Sequence, residues 1–470
     1  MARRTCFGII VGNRRFFPDQ LAREGRKTIT RLLKKLGYAC VVLNERESKF
    51  GAIETWEDAK KCAALFKSKR DRIDGVIVTL PNFGDERAVA DSLKIAGLNV
   101  PVLVHAWGDA PGQMGIEHRR DAFCGKMSVC NNLVQCGIPF SLTSLHTMDP
   151  LTPAFEENVH WFAGVCRVVN ALRKCRVGAL GARPAAFNTV RFSEKLLEES
   201  GITVQPLDLS EAFGRVAALS DTSAAVKRRV QKIQAYTSTA GVPAEALVKM
   251  AKLGIVIDQW MKEAELDVTA VQCWTSMQEY LGVAPCTVMS MLSDSLRSSA
   301  CEVDVCGAVA MHALVLASGQ PSFLLDWNNS YGDEQDKCVC FHCSNLPKSC
   351  FTDMKMDYQE IIAGSVGKEN TYGTVVGRIK PGPMTYARVS TFDTEGIIGA
   401  YVGEGAFTED EMDTFGGYGV AEIPNLQGLL RHVCEGGFEH HVAMNHSECA
   451  RVVYEAFDKY LDWDVYWHQG

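Results

Sequence analysis

Near the start of the chain, short uninterrupted apolar runs alternate with amphipathic stretches of helical spacing. The runs are Cys6 to Gly12, Cys40 to Leu43, Gly75 to Leu80 and Val100 to Val104. Between them, Gln20 to Leu36 (stopped by Gly37), Thr55 to Lys69 and Glu86 to Ala96 carry apolar residues at helical intervals. A strand that is apolar at every position leaves no face for water, so it belongs in a parallel sheet covered by helices on both sides. The pattern predicts a doubly wound α/β domain over residues 1–172.

A second unit of the same kind is expected over 173–350. Its strands are Val177 to Leu180, Val204 to Leu207, Ala270 to Trp274 and Phe323 to Asp326. Its helices are Phe187 to Glu199, Val248 to Leu266 and about Ala300 to Ala317. From Thr371 to Thr408 glycines punctuate short runs in which apolar and polar residues mix, which predicts antiparallel strands of a small barrel. A helix from Ser447 to Leu461 closes the chain. The expected fold class is α/β: two doubly wound Rossmann-like domains followed by a smaller β-rich, barrel-like domain over 351–470.

Composition excludes several classes. The formal net charge is −7 and no basic stripe stands out, so nucleic acid is not an expected partner. No run approaches the roughly 18–20 apolar residues of a membrane span. The opening MARRTCFGIIVGNRRFF has too short an apolar core for a secretory signal and reads as a buried strand, so a cytoplasmic location is expected. The 18 cysteines then fit a reducing compartment, as small buried hydrophobes rather than a disulfide framework. Among Cys338, Cys340, Cys343 and Cys350 only one pair has CxxC-like spacing, so they read as structural thiols rather than a zinc knuckle.

Candidate chemistry lies mainly in the second half. Glu302 sits in SACEVDVCGAVAMHALVLASG, where a helix's first turn favours an acid on dipole grounds alone. Asp326 ends the apolar run of PSFLLDWNNS, at the carboxyl end of a strand, where α/β folds place ligands and where turn aspartates are also common. His342 follows in CVCFHCSNLP, and His440, His441 and His446 in GGFEHHVAMNH. Two carboxylates with imidazoles suit a divalent cation such as manganese, cobalt or zinc, although the spacing matches no short metal motif. Asn13, Arg14 and Arg15 lie just past the first strand; His105, Trp107 and Asp109 follow the fourth; Arg183 and Trp274 follow strands of the second unit. Each occupies a position where a parallel sheet presents residues to a ligand. The glycines near Gly8 and Gly12 do not form GxGxxG, so a nicotinamide oxidoreductase lacks its fingerprint.

The order of these segments resembles the L-fucose/L-arabinose isomerase superfamily over nearly the whole chain. An acid in ACEVDV is followed by an acid in LLDW, then by FHCSNLP, then, after KPGPMTYARV, by HHVA. The resemblance implies a manganese-dependent aldose–ketose isomerase with Glu302, Asp326 and His441 as metal ligands and His342 at the position of a fourth. By the same resemblance His441 is favoured over His440, Glu302 and Asp326 double as the acid/base pair, and the assembly is a trimer or hexamer with its pocket between subunits. The aspartate at 326 is fucose-isomerase-like and the FHC histidine arabinose-isomerase-like, so the sugar does not carry over. Three arginines at strand ends point to a C6-anionic hexose such as a sulfo-sugar, because paired guanidinium hydrogen bonds suit a sulfonate. An isomerase of a neutral sugar (L-fucose, D-arabinose or L-arabinose) and a non-catalytic sugar-binding module are the alternatives.

Overall fold

The computed structural model describes residues 4–470, which form two compact units, one ending at Asn170 and one running from Ala171 to Gly470. In the first, the apolar runs become β1 (Cys6–Val11), β2 (Ala39–Val42), β3 (Gly75–Leu80), β4 (Val102–Ala106) and the short β5 (Ser141–Leu142). The intervening helices are α1 (Asp19–Lys35), α2 (Trp56–Ser68), α3 (Glu86–Ala96), α4 (Ala122–Gln135) and α5 (Pro153–Leu172). The strands pair in parallel in the order β2-β1-β3-β4-β5. Every residue of β1, β3 and β4 is buried, as the unbroken apolar runs require. Thr55 and Asp58 form a capping box at the start of α2, which sets that helix where the periodicity put it.

The strand order reverses direction at β1, and Asn13 lies just past that strand. Its amide donates to Asp19 Oδ1 (3.1 Å) and Glu54 Oε2 (2.8 Å) and its carbonyl accepts from Asn82 Nδ2 (2.6 Å). Gly12 is required here: a Cβ would stand 2.6 Å from a Leu80 methyl carbon. Arg14 pairs with Glu86 and stacks over the Phe83 ring at 4.0 Å, whereas Arg15 is exposed.

The second unit opens with β6 (Arg176–Leu180), α6 (Glu194–Glu199), β7 (Thr203–Leu207), α7 (Leu209–Ala217), α8 (Ala224–Tyr236), α9 (Ala244–Glu263), β8 (Val268–Val271), α10 (Cys286–Asp294) and β9 (Ser299–Ala300). The strands form a parallel sheet in the order β7-β6-β8-β9. The helix expected over Phe187 to Glu199 is only α6 in its second half. Ser193 caps α6 (its Oγ accepts from Leu196 N), and the Asn-Thr-Val preceding it, a weak helix-forming run, makes a single 3-10 turn. Likewise α11 (Val305–Ser318) starts at the Asp304 cap rather than at Ala300.

After α11 the sheet logic changes. Strands β10 (Phe323–Tyr331) and β11 (Glu334–His342) form a hairpin that joins not the parallel sheet but the C-terminal one. The remaining elements are β12 (Lys355–Tyr358), α12 (Glu360–Val366), β13 (Tyr372–Arg378), β14 (Gly382–Phe392), β15 (Ile397–Phe407), β16 (Gly417–Glu422), α13 (Leu426–Glu435), β17 (His441–Asn445), α14 (Ala450–Glu455) and β18 (Asp464–Trp467). Nine strands line up as β12-β13-β16-β11-β10-β17-β14-β15-β18, and a further β15–β16 pairing closes six of them into an antiparallel barrel. The break expected at residue 350 therefore does not divide the sheets, because β10 and β11 belong with the later strands. Asp326 is correspondingly not the end of a parallel strand. The apolar half Phe323–Leu325 is buried, and the strand runs on through polar residues to Tyr331 at the barrel surface, where antiparallel pairing tolerates them. No described helix is long and apolar enough to cross a membrane.

His105 ends up as a core residue of the first unit rather than as pocket lining. Trp107 Nε1 donates to Thr79 Oγ1 (3.1 Å), the hydroxyl lies 3.0 Å from His105 Nδ1, and His105 Nε2 lies 2.9 Å from the Met148 carbonyl. That chain needs a proton on Nε2 and a bare Nδ1. Burial lowers the ring's pKa from its ordinary 6.5 to about 3, only partly offset by the Met148 hydrogen bond. The unfolded chain then takes up a proton below pH 6.5 that the folded one refuses down to about pH 3, so stability falls as the pH drops through that window, by up to ~1.4 kcal/mol per pH unit. Denaturant unfolding of the wild type between pH 4 and 6 should show a slope steeper by about one proton than that of His105→Gln; equal slopes would show that the native ring protonates freely.

Candidate active site

Three neighbouring parallel strands of the second unit present their carboxyl ends together: β6 is followed by Arg183, β8 by Trp274 and β9 by Glu302. Glu302 and Val303 both adopt left-handed backbone angles (φ 54° and 58°) between β9 and α11. A β-branched residue held there costs about 1–3 kcal/mol. Val303 N bonds to the Val271 carbonyl at the end of β8, and Asp304 N bonds to Cys301 O (2.9 Å). Trp274 Nε1 donates to Glu302 Oε1 at 3.0 Å. The bend and that hydrogen bond fix the acid's direction.

The barrel supplies the other side. Asp326 in β10 is directly opposite His441 in β17 and opposite Phe341 in β11, which puts His342 one residue further along. His342 Nε2 lies 3.5 Å from Glu302 Oε2. His441 Nε2 lies 3.6 Å from the same oxygen and 3.5 Å from Asp326 Oδ1. These separations are too long for hydrogen bonds, and Glu302 Oε2 and Asp326 Oδ1 are both buried without a donor. Ligand atoms around one ion held by bonds of roughly 2.0–2.2 Å stand about 3–3.5 Å apart, so the spacing fits a shared divalent cation. Two overlapping groups meet here: Glu302, His342 and His441; and Asp326, His440 and His441. His440 is 43% exposed and only its Nε2 reaches Asp326 Oδ1 (3.7 Å), whereas the buried His441 faces both acids.

Behind His441 stands a charge network whose members lie far apart in the sequence. Asp304 was legible only as a helix-terminus acid. It does cap α11, with Oδ1 accepting from Gly307 N (2.7 Å), but its Oδ2 also accepts from His441 Nδ1 at 2.8 Å. Arg388 of β14 grips the same carboxylate through both terminal nitrogens and donates through Nε to Glu439 Oε2 (2.9 Å); Ser390 Oγ donates to Glu439 Oε1 (2.9 Å). Arg388 is fully buried. With Nδ1 committed to Asp304, His441 Nε2 faces the two acids, the arrangement by which carboxylates orient metal-binding imidazoles. Phe187, from the loop where helix was expected, sets its ring 5.5 Å from His441 and 6.0 Å from Trp274.

Electrostatics follow from burial and partners. Burial pushes the Asp304 carboxyl up, but Arg388 and His441 outweigh it and hold it well below the usual carboxylate range. Burial also pushes Glu302 up, and His342 and His441 bring it below its ordinary value. At Asp326 burial wins over the three histidines and the carboxyl is raised, with the Glu302 charge adding to it. Arg183 lies at the edge of this region, half-buried, its guanidinium donating to the carbonyl of Pro184 (3.1 Å).

The Asp304–Arg388 contact is a buried pair whose partner cannot be rehydrated, and removing one member of such a pair costs ~3–5 kcal/mol. Asp304→Ala should therefore lose that much in chemical unfolding. Asp357→Ala, which removes the partner of the largely exposed Lys355, should lose under ~1 kcal/mol. Equal losses would mean that the buried network is not a structural tie.

Two family models match the chain: fucose/sulfoquinovose isomerase, N-terminal domain, over residues 8–173, and L-fucose isomerase, C-terminal domain, over 340–468. A sulfoquinovose isomerase of Priestia aryabhattai is 26% identical over 279 residues, 58% of this chain and 60% of that protein. One of Clostridium sp. (strain MSTE9) is 26% identical over 195 residues, 41% of this chain and 43% of its own. One of Alkalicoccus urumqiensis is 23% identical over 362 residues, 76% and 78% of the two chains. The chain thus matches about 60% of the length of the Priestia relative. The two models together cover more than half of the 470 residues and take in His342 and His441, and the chain belongs to the fucose isomerase-like family.

Proposed function

We propose that the chain is an aldose–ketose isomerase acting on an open-chain hexose with a sulfonate at C6, at a site built from Glu302, Asp326, His441 and His342 around one divalent cation, manganese by resemblance. The observation that carries this reading is the pair of buried, donor-free carboxylate oxygens facing the Nε2 atoms of two histidines at 3.5–3.6 Å. A divalent cation held by Glu302, Asp326, His441 and His342 would supply Lewis-acid stabilisation of the negative charge that develops on the sugar's oxygens.

The rest is the work of this chain's residues. Isomerisation moves a proton between C1 and C2 and another between their oxygens, so one group must take a proton from carbon and a second must serve the oxygens. Glu302 and Asp326 are the two carboxyls in reach of one centre, and we assign them as that coupled pair. Trp274 holds Glu302 through its indole N–H, leaving the second oxygen free for chemistry. Asp304 keeps His441 in the tautomer whose Nε2 is bare, and Phe187 shields the imidazole from water.

The sulfonated substrate is supported by the names of the relatives and by the arginine-rich strand ends. Of the three arginines, Arg14 already has Glu86 and Phe83 as partners and Arg183 has backbone carbonyls; Arg15 is exposed. Those commitments favour, as a second reading, a neutral sugar of the L-fucose, D-arabinose or L-arabinose type. Asn13 and Trp107 remain candidate substrate contacts of the first unit. A trimer or hexamer with its pocket between subunits is also part of the proposal. The first unit exposes Phe16, Ile116, Leu145 and Leu151, apolar side chains that a contact between subunits would cover.

One kinetic screen tests the assignment. Manganese-loaded wild type is assayed against C6-sulfonated glucose and the three neutral sugars, beside Glu302→Gln, Arg14→Ala, Arg15→Ala and Arg183→Ala. Glu302→Gln should keep its fold and lose turnover; near wild-type activity would remove Glu302 from the chemistry. If an arginine holds the sulfonate, its loss should lower kcat/KM for that sugar by about ten- to a hundred-fold, roughly 1.5–3 kcal/mol, and leave the neutral sugars alone. A preference for neutral sugars that all three substitutions leave intact would replace the sulfonate reading. Sedimentation of the active protein should show a trimer or hexamer, and a fully active monomer would remove the shared pocket.

A further inference from the structure

Beside Glu302 lies a pair of thiols for which isomerisation has no use. Cys301 directly precedes Glu302, and Cys273 directly precedes Trp274, which holds Glu302. The sulfurs of Cys273 and Cys301 and a carboxylate oxygen of Glu302 all lie within 4.8 Å of one another, and all three residues are buried. Cys343, the neighbour of His342 in the chain, lies 3.4 Å from that ring's Nδ1. Two chain segments thus bring two sulfurs and one carboxylate to a common point.

We propose that Cys273, Cys301 and Glu302 form a second cation site, which takes a thiophilic d10 ion such as zinc or cadmium and competes for Glu302 with the site between the acids and histidines. Bonds of about 2.3 Å to sulfur and 2.0–2.2 Å to oxygen in a tetrahedron put the ligand atoms roughly 3.5–3.8 Å apart. Atoms already within 4.8 Å reach that spacing by side-chain rotation. Thiolate sulfur selects soft ions, whereas the carboxylate–imidazole set accepts harder ones such as manganese, so the two sites sort metals by ligand type. Binding displaces thiol protons to the buffer and needs no oxidant. A soft ion here draws Glu302 away from His342 and His441. It therefore inhibits without touching the sugar. The binding site rests on the thiol geometry alone, and the inhibition rests in addition on the isomerase reading.

The test titrates manganese-loaded holoenzyme with cadmium under a thiol-free reductant, following thiolate-to-cadmium ultraviolet absorption and isomerisation in the same samples. Wild type should show a saturable absorption complete at one cadmium per chain, with activity falling in step. Cys273→Ser/Cys301→Ser, whose manganese-loaded activity should match wild type, should lose most of that absorption and need at least tenfold more cadmium for the same inhibition. If the double variant does not fold, the single Cys273→Ser variant carries the same comparison. Absorption that is absent, or that persists unchanged in a folded variant, overturns the site. Inhibition at the same cadmium concentration in both proteins overturns the coupling. A wild-type protein that develops the absorption but never isomerises any sugar keeps the site and removes the isomerase reading instead.

Discussion

A single carboxylate, that of Asp304, ties the two halves of the second unit together. One oxygen caps α11, which packs behind the parallel sheet; the other accepts from His441 on β17, and Arg388 on β14 grips both. A helix terminus and two barrel strands thus meet on two oxygen atoms that water does not reach. Burying charge in this way is a poor source of net stability, since desolvation takes back most of what Coulomb attraction gives. Its value is specificity of position. An imidazole whose Nδ1 proton is fixed by a buried acid has one tautomer and one orientation, and Arg388, clamped again by Glu439, stops that acid from turning.

The left-handed pair Glu302–Val303 follows from the same constraint. Asp304 must stand where α11 begins, and Glu302 must face the barrel, yet only one residue separates them. The chain makes that turn with two consecutive positive φ values. The cost of that bend is offset by main-chain bonds to β8 and by the Trp274 indole. The donor-free oxygens of Glu302 and Asp326 belong to the same logic. They are buried polar atoms that the fold could have satisfied with a hydroxyl or amide and did not, and such unsatisfied groups concentrate where a ligand completes the set.

How much of this was readable from the chain depends on the length scale of each signal. The parallel strands of the first unit were legible because burial on both faces is a local property: β3 and α3 fall where the apolar run and the helical period put them. The barrel was legible as to type, but not where it begins. Phe323 to Leu325 is as apolar as any parallel strand, and only the later pairing of β10 with β17 shows which sheet it joins. The site residues were gathered by the order of segments in a resembling family. Spacing gave no such signal, because Asp304 and His441 are 137 positions apart and no local pattern carries a contact at that distance. Asp304 could be seen only as a capping acid, and Arg388 and Glu439 not at all, since a buried ion pair leaves the same letters as a surface one.

This division bears on how the site tolerates change. Glu302 and Trp274 sit at the ends of parallel strands, where loops vary without disturbing the sheet that carries them. Asp326, His342 and His441 sit in or at the ends of barrel strands, where a one-residue slip would turn each side chain to the opposite face. The pairings of Asp326 with His441 and Phe341 fix that register from both sides, and the Arg388–Asp304 grip fixes the barrel against the helix. The histidines that face the two acids are therefore held by rigid elements, while Phe187 and the arginines ride on loops. Under the proposed isomerase reading, a fold partitioned in this way would keep its chemistry at C1 and C2 while exchanging the residues that read the far end of the sugar.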